Sequence, residues 1–94
     1  MSGEGFKVGD AVLSKAGRDA KRAFVIVEVI GTDWVMLCDG ALRKLNKPKR
    51  KKVRHIKKLD KIPPFEAVRR GERILDADVR KYLKEQGLTS SKEV

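Results

Sequence analysis

The sequence is short of chemistry-bearing residues. It holds one cysteine, Cys38, one histidine, His55, one tryptophan, one tyrosine and three phenylalanines in 94 residues. A lone cysteine closes no intramolecular disulfide, and with a single histidine it cannot build a four-ligand structural zinc site. That usage fits a reducing cytoplasm. No apolar run approaches the ~20 residues that span a bilayer, and the opening MSGEGFKVGD lacks the basic-then-apolar layout of a secretion signal. The expectation is a soluble cytoplasmic protein with no membrane association. A second histidine, a paired nucleophile and base, and a glycine-rich phosphate loop are all missing. Asp10, Asp19, Asp33 and Asp39 fall in turn-like stretches, where Asp belongs for conformational reasons. No enzyme activity, cofactor, metal or small-molecule substrate is therefore expected.

Acidic residues are scarce in one stretch above all. Residues 43–61, RKLNKPKRKKVRHIKKLDK, hold eleven Lys and Arg against Asp60 alone. Their net +10 equals that of the whole chain, so the other 75 residues, with twelve basic and twelve acidic side chains, are neutral. A neutral domain displaying such a block suits a polyanionic partner, because each counterion displaced from a phosphate backbone adds favourable entropy. Pro48 interrupts the block and few large apolar residues accompany it, which does not suit an interfacial membrane helix. A solvated basic tail is the bland alternative.

Short strands are expected at 11–14, at 23–30 (AFVIVEVI, with Val25, Val27 and Val29 as the core face), and at 34–38. Asp39-Gly40 reads as a hairpin turn returning a strand at 41–43. Residues 15–22 and 44–52 read as loops, the second because Pro48 cannot donate to a central ladder. A closing strand is expected around 52–57. Five short β segments joined by turns suggest a small, highly curved barrel, which leaves no open edges. After Ile62-Pro63-Pro64 the pattern turns helical. One short helix is expected at 65–70 and a second at 77–86, with Asp76 as its cap and Leu75, Val79, Tyr82 and Leu83 as its apolar stripe. The organisation read from the chain is a barrel at 5–60 carrying the basic segment 43–61, a helical hairpin at 62–87, and a flexible tail at 88–94.

Gly9-Asp10-Ala11-Val12-Leu13-Ser14, Ala16-Gly17-Arg18-Asp19 and the Val-rich strand together resemble the KOW motif of ribosomal proteins and transcription elongation factors. Asp39-Gly40, Leu42-Arg43-Lys44, Lys47 to Lys52 and His55-Ile56 extend the resemblance to bacterial KOW-domain RNA-binding proteins related to the fourteen-e family of large-subunit ribosomal proteins. One position departs from that pattern: Ala20-Lys21-Arg22 stands where a loop glycine often follows the basic residue. The resemblance covers roughly residues 5–60. It implies an SH3-like barrel, RNA binding and association with the ribosome, with large-subunit rRNA and ribosomal proteins as partners.

The expected RNA-contacting residues are Lys15, Arg18, Lys21 and Arg22 in the first loop, and Arg43, Lys44, Lys47, Lys49, Arg50, Lys51, Lys52, Arg54, His55, Lys57 and Lys58 in the basic block. Trp34 is either a stacking surface for an unpaired base or a partly buried barrel residue. Phe65 and Tyr82 read as helix-packing residues, and Cys38 as a small buried hydrophobe. A monomer is expected. Two other functions remain open: a transcription-elongation type of KOW module that contacts a protein, and a nonspecific nucleic-acid binder.

Overall fold

The computed structural model describes residues 5–15, 17 and 21–88. Arg18 and most of the tail expected at 88–94 lie outside the described residues. The chain forms five strands, β1 (Ala11–Ser14), β2 (Ala23–Ile30), β3 (Trp34–Cys38), β4 (Lys49–Lys52) and β5 (Ile56–Lys58), then helices α1 (Glu66–Arg69) and α2 (Asp76–Glu85). A 3-10 turn, Val53–His55, joins β4 to β5. All strand pairs are antiparallel, in the order β4-β3-β2-β1-β5. Among the described residues no helix is long and apolar enough to cross a membrane.

The sheet is not closed into the expected barrel, because no ladder joins β4 to β5. It is nevertheless rolled. Four strand spacings of ~4.8 Å would hold the edges of a flat sheet about 19 Å apart. The four residue steps from Lys52 to Ile56 span at most about 14 Å. These residues also attach at opposite ends of β2, through Trp34 and Ser14 respectively. Only strong coiling brings the edges within reach of a three-residue turn.

Rolling buries both faces of β1 and the first half of β2. One cluster, inside the curve, holds Val12, Phe24, Ile26, Val35, Leu37, Val53 and Ile56. The other lies between the sheet and the helices and holds Ala11, Ala23, Val25, Cys38, Val79, Tyr82 and Leu83. The single core face expected for β2 is thus corrected: Phe24 and Ile26 are as buried as Val25. A bulge between Ile26 and Glu28 inserts Val27 as an extra residue. Side chains alternate across a strand, so one extra residue moves Val29 to the Phe24 face. Val29 accordingly packs with the inner cluster and Val27 with the outer one.

Two strand expectations also change. Residues 41–43 form no strand. The buried Asp39 carboxylate accepts hydrogen bonds from the Ala41 and Arg43 amides, each at 2.9 Å, and the Arg43 carbonyl accepts from the Asp39 and Gly40 amides. The chain is curled around Asp39 instead of returning along β3. The returning strand comes later, as Lys49–Lys52 pairs with β3 from Leu37 to Trp34. Pro48 falls just before this strand, and β4 pairs on one side only, where a run of cations is tolerated and blocks further pairing. The closing strand expected over 52–57 is split by the 3-10 turn.

Helix α2 has Leu75, not Asp76, as its N-cap, and the Asp78 carboxylate accepts from the Leu75 amide at 2.8 Å. Leu75 is 67% exposed and drops out of the expected stripe, whereas Val79, Tyr82 and Leu83 are buried. Phe65 and Tyr82 stack with centroids 4.7 Å apart and rings within 4° of parallel. The Tyr82 hydroxyl donates to the Pro63 carbonyl at 2.5 Å.

Candidate nucleic-acid interface

The central part of the basic block, Lys49 to Lys58, folds as the two free edges of the sheet and the turn between them. From Lys49 to Lys58 the chain runs along β4, through Val53–His55 and into β5. Pairing parity divides β4. Arg50 and Lys52 lie opposite Met36 and Trp34 on one face, and Lys49 and Lys51 lie opposite Leu37 and Val35 on the other. A cation on an edge strand lays its aliphatic stem along the neighbouring side chain and keeps its charge in water. Arg50 does this over Trp34, with its guanidinium carbon 4.5 Å from the ring centroid, and Lys52 Nζ lies 5.3 Å from the same ring. An exposed cation–π contact of this kind contributes about 0.5–1 kcal/mol.

The first basic loop joins this surface from two sides. The Lys15 amide donates to the His55 carbonyl at 2.8 Å. Lys51 Nζ lies 3.8 Å from where a Cβ at Gly17 would stand. At its other end, the Arg22 guanidinium is 3.8 Å from the buried Asp39 carboxylate. The two charged regions separated in sequence are therefore one surface.

Within it the predicted residues are not equivalent. Lys15, Lys21, Lys44, Lys47, Arg50, Arg54 and Lys57 are exposed. Arg43, Lys49, Lys51, Lys52 and His55 are half-buried. Arg22 faces Asp39, and Lys58 is turned to a structural task. Its Nζ donates to the Gly5 carbonyl at 2.5 Å and lies 3.5 Å from Asp10. Asp10 is the hub of that corner, accepting from Arg69 of α1 at 2.6 Å and from the Lys7 amide at 2.9 Å.

Helix α2 fixes the loop that carries Arg43, Lys44 and Lys47, a role the sequence did not disclose. Asp76 Oδ1 accepts from the Leu45 amide at 2.7 Å, and Arg80 donates to the Gly40 carbonyl at 2.6 Å. Gly40, at φ 77°, makes that contact feasible, because a side chain there would strike the Asp76 carbonyl and the Arg80 side chain.

Burial, with the charges of Asp39 and Asp76, pushes the Cys38 thiol up to about 12. At neutral pH it is a protonated hydrophobe and not a nucleophile. No group of three or more His, Cys, Asp or Glu side chains placed to hold a metal occurs among the described residues. What the surface offers is positive charge on a rolled edge beside a partly exposed indole. No protein-family model matches the chain, and no curated protein matches it.

Proposed function

We propose that this protein binds RNA, with the rolled sheet serving as an SH3-like KOW domain and the β4–turn–β5 edge contacting phosphates. The observation that supports the reading best is the folding of seven of the block's eleven cations, those from Lys49 to Lys58, into two edge strands and the turn between them. A solvated charge run does not need a strand register, whereas a phosphate-tracking surface gains from cations held in place. The irregular outline of loop, edge and turn suits folded RNA, which is recognised by shape and by the 2′-OH. The helix is a poorer candidate for reading DNA. Its N-terminal turn carries Asp76 and Asp78, which would repel phosphates at the end that recognition helices insert.

The specific proposal is a ribosome-associated protein contacting large-subunit rRNA. Competition binding between structured rRNA fragments and duplex DNA of equal length tests the polymer, and gradient fractionation of cell lysate tests the association. Preference for RNA and co-sedimentation with ribosomal particles at low salt are the expected results. Equal affinity for both polymers, with absence from every ribosomal fraction, would leave a generic polyanion binder.

A further inference from the structure

Beside the basic edge lies an apolar strip that phosphate contacts do not use. Ile30 pairs with Trp34, and Trp34 and Met36 pair with Lys52 and Arg50. Parity places these side chains on the same sheet face as Cys38. Cys38 lies in the cluster that Val79, Tyr82 and Leu83 of α2 cover, whereas the strip lies outside that cluster. Ile30 is 39% exposed, and Trp34 and Met36 are half-buried. The strip therefore lies outside the part of this face that α2 covers, and Arg50 and Lys52 reach over Trp34 from the β4 side.

We infer that this strip takes an unpaired RNA base stacked on Trp34, so that the substrate class is RNA with a single-stranded loop or bulge beside its phosphates, not continuous duplex. The inference rests on the RNA-binding reading above. Bases within a duplex show only their edges to a protein, and an indole gains little from them. A splayed base offers a π face that any indole can accept. The charge pattern fits a nucleotide better than a bare aromatic ligand. Arg50 and Lys52 lie over the ring, so an incoming base takes the place of the exposed Arg50 guanidinium, a contact of only about 0.5–1 kcal/mol, and leaves that cation beside the phosphate.

One acid borders the strip: Glu28, opposite Met36 on the β2 side, is exposed and repels phosphate there. Asp33, which precedes Trp34, shares a depression of about 200 Å3 with Lys52, Val53 and Arg54 and opposes phosphate at that point of the turn. The sugar-phosphate chain is therefore directed along β4, past Arg50 and Lys52, with the base pointing back over Trp34.

Trp34 is the single tryptophan of the chain, so its emission reports on the strip without any substitution. The test titrates the full chain with a hairpin RNA bearing an unpaired loop and, separately, with a continuous RNA duplex of equal phosphate count. Loop RNA is expected to quench Trp34 emission while duplex binds without quenching. Trp34→Ala is expected to weaken loop-RNA binding about 5- to 150-fold, the range that base–aromatic stacking spans, and duplex binding by less than about 2-fold. Trp34→Phe, which keeps a ring, should recover most of the loss. Quenching by both RNAs alike, binding of both without quenching, or equal losses on both from Trp34→Ala overturns the inference and leaves the RNA reading intact. Binding of the loop RNA alone would also uphold the inference, whereas failure of both RNAs to bind overturns it together with the RNA reading.

Discussion

Lys21 is the one described residue other than glycine with positive φ, at 69°. It occupies the stretch where the resembled motif often places a glycine. The left-handed conformation is adopted here without a glycine. Its amide donates to the Ser14 carbonyl at 2.8 Å, and the Ser14 amide donates to the Arg22 carbonyl, so the geometry is fixed by the β1–β2 junction. A left-handed non-glycine costs about 1–2 kcal/mol, partly offset by the greater unfolded-state freedom of glycine. Lys21→Gly is therefore expected to stabilise the fold by about 0.5–1 kcal/mol. Thermal melts check this, and a lower melting temperature would contradict it. Two other residues give the fold an alkaline limit. Burial raises Cys38 from 9.0 and Tyr82 from 10.0, each to about 12. Below about pH 9 both groups are protonated whether the chain is folded or not, and their contribution is fully present. Between 9 and 12 the unfolded chain releases protons that the folded chain retains, so stability falls as pH rises. Melting temperatures measured from pH 7 to 11 should decline above 9, and Cys38→Ala should remove part of that decline. An identical slope in the variant would contradict the assignment.

At the scale of elements, β1, β2, β3 and both helices were legible because apolar pattern and turn chemistry agreed. AFVIVEVI and WVMLC fall where β2 and β3 lie. The edge strand was not legible: KRKK carries no apolar residue, and its strand state comes from a ladder with β3 that no local signal announces. The bulge at Val27 was hidden for the same reason, since it is a property of pairing and not of one strand. Asp76 illustrates a third kind of miss. It sits beside a helix start, as a cap should, but its carboxylate is used on the Leu45 amide 31 residues away. The second helix is anchored by its buried stripe. Leu83 is 2% exposed among Val79, Tyr82 and the outer sheet cluster. Leu83→Ala is expected to cost about 2–5 kcal/mol, which lowers the melting temperature of a domain this size by roughly 10 °C or more. An unchanged melting temperature with loss of a protein partner would make the stripe an interaction face.

For the whole molecule, charge and shape were legible to different degrees. The +10 block could be read directly, and so could a strongly curved β unit followed by helices. The open seam could not, because closure depends on whether β4 and β5 meet, and a three-residue turn decides that. Nor could the merging of the two basic regions, which depends on the Lys15–His55 and Lys51–Gly17 approaches created by rolling. The electrostatic surface that results is central to the proposed function, and counterion release gives it a quantitative signature. With about six phosphates neutralised, log K should fall against log salt with a slope of about −4 to −5. The most direct measurement is that slope for structured RNA, taken on the natural sequence and on a chain with Lys49, Arg50, Lys51 and Lys52 all changed to Gln. A steep slope that flattens in the substituted chain, with affinity strongly reduced, is the predicted result; the same slope and affinity in both chains would contradict binding through the β4 edge.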